Sequence, residues 1–249
     1  MARGDHIIAN SKYTRNHIIK THGADPKDIT VIYRGVDMKA FDPAKVSDVN
    51  RKSKRSDWGV QEGQIAALLP GRLTRWKGQL IAVQALAKLP DDYVLIFQGD
   101  AQGRNAYVNE IKQLASDLDV VQRVRIMPHS PDIAISLAAA DIVISASTDP
   151  EAFGRIAVEA QAMGTPVIAT AHGGSLETII EGVTGELVPS NDVKALANGV
   201  LKAVQMKQGR ITQKNRSHIA RNFSKTAMQN QTLAVYEKLL GGGFSRDKT

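Results

Sequence analysis

The chain contains no cysteine. Disulfides, thiolate zinc sites and cysteine nucleophiles are therefore excluded. No apolar run approaches the ~18 residues of a membrane span. The opening Met1–Asn10 lacks the apolar stretch of ~7–15 residues that marks a secretory signal. Aromatic residues are few, with two Trp, five Tyr and five Phe. They are not interleaved with the basic residues, so no stacking platform for nucleic acid is evident and no nucleic-acid partner is expected. Neither a Walker phosphate loop nor a G-x-G-x-x-G fingerprint occurs. The G-x-S-x-G elbow of hydrolases is also missing. No His, Asp or Glu cluster has metal-ligand spacing, and no metal or other cofactor is expected.

What is there is a chain of 249 residues with a net charge of +7, 43% hydrophobic and 23% charged residues. That balance belongs to a folded chain rather than a disordered one. The length fits one large domain or two small ones at roughly 150 residues each. The composition reads as a cytoplasmic protein whose basic face could meet anionic lipid or phosphorylated small molecules.

Short apolar runs at Ile65–Leu69, Tyr93–Phe97, Arg123–Met127, Asp141–Ser145 and Pro166–Thr170 read as strands buried on both faces. Helical stretches alternate with them at Gly78–Lys88, Asn105–Leu118, Asp132–Ala139, Gly154–Met163 and Ser175–Ile180. A short strand follows at Glu186–Val188, then helices at Val193–Met206, Ile211–Asn222 and Lys225–Leu240, and a frayed tail. Such alternation predicts an α/β fold, a Rossmann-like doubly wound parallel sheet with extra C-terminal helices. Ahead of it, His6–Ala9 and Asp28–Tyr33 read as strands and Ser11–Lys20 as a helix. A polar loop is expected through Arg55, with a boundary near residue 58. Within it Arg51–Arg55 reads as a solvated linker, or else as a patch drawn weakly to anionic membrane.

Three strand-to-helix turns carry the chemistry. Gly71-Arg72-Leu73-Thr74-Arg75-Trp76-Lys77-Gly78 ends a strand and opens a helix. Ligands of open α/β sheets bind at such strand ends, where a glycine allows a tight turn and Arg72 and Lys77 add cations. The plain alternative is a basic turn on a basic protein. Thr148–Ala160 is the second turn. Glu151 falls in its entry loop and can accept hydrogen bonds from sugar hydroxyls. Gly154 permits close approach of a ligand. Glu159 sits inside the helix among apolar residues and needs a partner, such as a diol, unless it is a solvated helix glutamate. The third turn, Ala171–Glu177, has two glycines, and Ser175 reads as a helix cap. Met127-Pro128-His129 closes another strand and could meet a nucleobase through its backbone. A polar loop is the plainer reading of His129.

Taken in order, these segments resemble group 1 (family 4) glycosyltransferases of the GT-B fold. They are Gly71-Arg72 with Lys77-Gly78, Gly99-Asp100, Glu151-Ala152-Phe153-Gly154 with Glu159, Gly164-Thr165-Pro166, Gly173-Gly174 with Glu177, and Gly182 with Gly185. The Glu-x7-Glu spacing is the family's signature, and the resemblance runs from about Ile7 to Leu240 into the C-terminal, donor-binding half. Ile8–Ser11 and Tyr33–Asp37 resemble the segment between the two domains. The flavour is that of lipopolysaccharide-core mannosyl- or glucosyltransferases.

The resemblance implies a retaining transfer of a hexose from a UDP- or GDP-linked donor to a glycan or glycolipid acceptor. Arg72, Lys77 and Glu151 would carry the catalytic roles, the cations on the diphosphate and Glu151 on the sugar. Gly71, Phe153 and Gly154 would bind the donor, Glu159 its ribose, and Met127, Pro128 and His129 its base. The resemblance also implies an N-terminal domain of roughly 100–200 residues in cis or trans. Met1 then reads as an internal methionine, and the isolated chain as weak or inactive. The expected divisions are 1–57, a remnant of that domain with the linker; 58–222, the donor-binding domain; and 223–249, a crossover helix and tail. The last helix and the front strand should then expose apolar surface. The alternative is a non-catalytic nucleotide-sugar module or a subunit of a split enzyme.

Overall fold

A computed structural model describes residues 4–206 and 211–241. In chain order its elements begin with β1 (Ile7–Ala9), α1 (Lys12–His22), β2 (Ile29–Val31) and α2 (Asp48–Asp57). The main unit follows with β3 (Ile65–Pro70), α3 (Gln79–Leu86), β4 (Tyr93–Gln98), α4 (Asn105–Asp117), β5 (Val124–Met127), α5 (Ile133–Ala139) and β6 (Ile142–Ser145). It continues through α6 (Arg155–Ala162), β7 (Val167–Thr170), α7 (Ser175–Thr178), β8 (Gly185–Val188) and α8 (Val193–Met206). The described chain closes with α9 (Ile211–Asn222) and α10 (Lys225–Leu239). The expected strands, and the helices apart from α2, lie within two residues of their sequence-based ends. Met1 and the expected tail at 242–249 fall outside the described residues.

Six strands form one sheet in the order β5-β4-β3-β6-β7-β8, and every pairing is parallel. Buried β-branched and aliphatic side chains fill both faces, as parallel strands require. On one face Ala82, Val83 and Leu86 of α3 and Tyr107, Ile111 and Ala115 of α4 pack beside Leu196 and Val200 of α8. The last three positions of α4 recur every four residues, a single helical stripe. On the other face lie Leu137 of α5, Ala157 and Ala160 of α6, and Trp58. The winding direction reverses between β3 and β6. Gly78, at φ +75°, is required there: a Cβ would stand 1.9 Å from the carbonyl oxygen of Ala146.

β1 and β2 pair separately as a small parallel ladder. They are joined to the main unit by Val36, Phe153, Val158, Ile219 and Phe223, which form a third apolar cluster. The expected apolar exposure is present on α10, where Leu233, Tyr236 and Leu239 are each about half exposed, and at Ile8 of β1. Among the described residues no helix is long and apolar enough to cross a membrane.

The expected polar loop with a solvated Arg51–Arg55 is corrected by α2. Ser47 caps this helix by accepting from the Asn50 amide. Arg51 donates to the carbonyl oxygens of Ala138 and Pro43. Arg55 donates to those of Ala139 and Gln64 and pairs with Asp141 at 2.7 Å. The helix has no apolar period because guanidinium groups, not aliphatic chains, dock it onto the end of α5. Cations there also meet the negative end of that helix. Arg55→Ala should lower unfolding free energy by about 1–3 kcal/mol. The exposed neighbouring change Lys52→Ala should stay within about 0.5 kcal/mol. Urea titration reads both, and equal effects would refute the docking role.

Candidate functional site

The reversal between β3 and β6 opens a crevice beyond their carboxyl ends, where open α/β sheets bind ligands. A cleft of ≈ 280 Å³ lies there. Its wall includes Gly71 and Lys77 after β3, Gln98 at the end of β4, His129 after β5, and Glu151, Arg155 and Glu159 around the start of α6. The structure thus brings together Gly71, Lys77, His129, Glu151 and Glu159 from three separate stretches of sequence.

Lys77 Nζ is 2.7 Å from Glu151 Oε1, with both side chains largely buried. Ser147 Oγ donates to the same oxygen at 2.6 Å. Glu151 Oε2 has no partner among the described residues. Lys77 Nζ also lies 4.3 Å from the centre of the Trp76 ring, a cation–π placement that restrains it further. On the first turn of α6, Arg155 Nε donates to Glu159 Oε1 at 2.9 Å. Glu159 is only 6% exposed, so it is not a solvated helix glutamate. Burial pushes its carboxyl above the ordinary carboxylate range, and the Arg155 guanidinium opposes the shift. Gln98 is buried as well, and its Oε1 finds no donor among the described residues. Such an orphan typically costs about 1–3 kcal/mol.

The loop carrying Glu151 is pinned at the carbonyls of Ser147, Thr148, Glu151 and Ala152. Thr170 Oγ1 donates to the Ser147 oxygen, which the His172 ring also meets. Ser190 donates to Thr148, Gly174 N to Glu151, and Thr14 to Ala152. The Thr148 amide in turn reaches the Trp76 carbonyl at 2.7 Å. Gly154 begins α6 at φ +78° with no side-chain cap, and a Cβ there would meet little but Ser175.

Other expected residues sit nearby rather than in the same cleft. Glu151 and Arg155 are shared with a second hollow of ≈ 270 Å³ that contains Phe153, Gly154, Trp76 and Arg34. The Phe153 ring itself is buried against Tyr33 and Phe223, so only its backbone serves a site. Met127 and Pro128 line a third hollow of ≈ 510 Å³ with Gly99 and Asp100, joined to the first at His129. Arg72 is exposed and lines none of the three. Ser175 does not cap α7, whose cap position is Gly174. Glu177, in the first turn of α7, instead accepts from the amides of Lys12 and Tyr13 and from the Tyr33 hydroxyl. Burial, then this carboxylate, push Tyr33 up to about 12. Sequence reasoning missed Ser147, Gln98 and Arg155. Arg155 could have been found, since it lies four residues before Glu159 on one helix face. Among the described residues no group of three His, Asp or Glu is placed to hold a metal ion.

Residues 50–225 match the family described as glycosyl transferases group 1, and residues 1–40 match glycosyltransferase family 4. The D-inositol 3-phosphate glycosyltransferase of Mycobacterium marinum is 32% identical over 242 residues, covering 95% of this chain and 51% of that protein. A glycosyltransferase structure from Rickettsia africae superposes with a TM-score of 0.91 at 33% identity, covering 96% of this chain and 64% of that one. HepE of Anabaena, solved with UDP-glucose, superposes with a TM-score of 0.88 at 30% identity, covering 95% and 65% respectively. The chain spans about half the length of the curated relatives it matches.

Glu159 gives a pH signature. Its raised value means that the folded chain holds the proton more tightly than the unfolded chain. That stability is fully present below the ordinary value of 4.5 and is lost as pH rises through the raised value. Glu159→Gln escapes the loss. Its stability relative to the parent should therefore grow from about pH 4 to about pH 7. Thermal unfolding at several pH values checks this, and a constant difference would refute it.

Proposed function

The chain belongs to the group 1 glycosyl transferase family, and from that premise we propose that it is the donor-binding half of a retaining hexosyltransferase. The donor is a nucleotide diphosphate sugar, and we assign the nucleotide as UDP. The observation that carries this reading is the Lys77–Glu151 pair at the winding reversal, with the buried Glu159 on the same cleft wall. The UDP-glucose held by HepE supports the choice of UDP.

The arrangement suits the chemistry. Cleaving the bond between hexose and diphosphate builds negative charge on the departing phosphate. Lys77 meets it from within the cleft, and the exposed Arg72, next in sequence to Gly71 of the cleft wall, would have to swing in to supply a second cation. A preorganised donor at developing charge is worth ~2.7–4 kcal/mol by analogy with oxyanion holes. Glu151 Oε2 accepts from a sugar hydroxyl, while Oε1 stays engaged with Lys77 and Ser147. The amides at the start of α6 take further sugar oxygens. Glu159 accepts from the ribose hydroxyls, which supply the partner its burial calls for. Met127, Pro128 and His129 flank the base. Lys77 and Arg72 carry the charge neutralisation, so the reading assigns no metal.

The acceptor is a glycan or glycolipid, and its binding is assigned to an N-terminal domain supplied in cis or trans. The 249-residue chain should therefore bind donor but transfer little. Thermal shift with UDP, UDP-glucose, GDP and ADP tests this. Ligand at 100 times its Kd should add about 2.7 kcal/mol. UDP and UDP-glucose should stabilise the chain, and Lys77→Ala and Glu151→Ala should each abolish most of the gain. A cooperatively unfolding chain that none of the four ligands stabilises would overturn the reading.

A further inference from the structure

Two side chains at the end of β7 converge on one carbonyl outside their own strand. Thr170 Oγ1 donates to the Ser147 oxygen at 2.8 Å, and His172 Nε2 lies 2.9 Å from the same atom. A carbonyl oxygen only accepts, so Nε2 carries a ring proton. The other ring nitrogen, Nδ1, is buried without a partner among the described residues. An orphaned nitrogen costs stability, and the fold keeps it while the ring holds Ser147. The third strand-to-helix turn, which the donor reading leaves without a role, thus contributes His172 to a hold on the loop that carries Glu151. Ser147 itself is 1% exposed.

With its backbone fixed, the Ser147 side chain turns about one bond, and Oγ gives its single proton to Glu151 Oε1 at 2.6 Å. Lys77 Nζ reaches the same oxygen at 2.7 Å, but from the end of a flexible four-carbon stem. An ammonium on such a stem can pair with either carboxylate oxygen or bridge both. A hydroxyl on a pinned backbone cannot follow it. We propose that Ser147 is the positioning residue of Glu151: its hydroxyl fixes Oε1 as the oxygen that pairs with Lys77 and keeps Oε2 available to a donor hydroxyl. Without that hydroxyl Lys77 bridges the carboxylate and takes both oxygens. Glu151 lines the main cleft and the second hollow alike, so a turn of its carboxylate changes both. This inference rests on the reading of Glu151 as the group that binds the donor sugar.

Isothermal titration of the 249-residue chain with UDP and UDP-glucose tests the assignment through the ratio of the two affinities. UDP carries no sugar and reads the nucleotide contacts alone. Ser147→Ala should weaken UDP-glucose about tenfold and leave UDP within about twofold of the parent, so the ratio falls. Equal weakening of both ligands would overturn the proposal, because a merely structural side chain acts on the whole site. Parent-like affinity for both would overturn it too. A parent chain that binds UDP but not UDP-glucose would do the same, since no sugar contact would exist for Ser147 to support. A parent chain that binds neither would bring down the nucleotide reading and this inference together. UDP binding with an unchanged ratio in Ser147→Ala would sink this inference only.

Discussion

The reversal of winding between β3 and β6 is the constraint on which the site depends. Successive units from β3 run outward through β4 to β5, and those from β6 run the other way through β7 to β8. The two directions part at the carboxyl ends of β3 and β6, the place where open α/β sheets leave a crevice. The turns after β3 and β6 must therefore hold each other. Backbone does this first: Thr148 N donates to the Trp76 carbonyl, and Gly78 lies against Ala146 with no room for a side chain. The Lys77–Glu151 pair then spans the same gap. Structure and candidate chemistry thus use one set of contacts.

The front segment is tied to that gap through a chain of polar contacts. The Glu177 carboxylate sits at the amino end of α1, where free amides and the helix dipole favour a negative group. Glu177 follows the glycine pair whose Gly174 amide holds the Glu151 carbonyl. Thr14 of α1 reaches Ala152 in the same loop. Tyr33 completes the circuit by bonding to Glu177 and packing on Phe153 and Phe223. A shift of α1 would therefore be felt at the loop that carries Glu151, because these contacts share residues 151–153 and 177.

The sheet was legible because its inner strands are buried on both faces and read as apolar runs, whereas the edge strand β5 is only half-buried and carries Arg125. Glu151 and Glu159 were legible as a pair because their spacing belongs to one turn and one helix, and the structure keeps that division between loop and helix. What escaped was set by tertiary contact. The helix α2 has a polar sequence whose docking face is Arg51, Arg55 and Trp58, and no hydrophobic period announces guanidinium groups on carbonyl oxygens. Gln98 lies just past the apolar run Tyr93–Phe97, and only its burial without a partner among the described residues singles it out. Ser175 had the chemistry of a cap, but the close approach of Gly174 to the Phe153 backbone sets the start of α7 one residue earlier. Arg72 is the converse case, a cation placed by motif that the fold leaves at the surface.

The cleft is organised for charge. Lys77 is held on two sides, by Glu151 and by the Trp76 ring, so little of its rotamer freedom remains to be lost when an anion arrives. Glu151 is held by Lys77 and Ser147 through one oxygen, which leaves the other oxygen as an acceptor. Glu159 repeats the pattern, with Arg155 on one oxygen. In both carboxylates the protein partners engage one oxygen, and the other has no partner among the described residues. The second case costs stability, as the raised Glu159 value records, because one exposed guanidinium does not replace the lost water. A ligand rich in hydroxyls would repay that desolvation by donating to the vacant oxygen. Under the proposed function, the groups whose burial costs the fold stability would then become contacts to the nucleotide sugar.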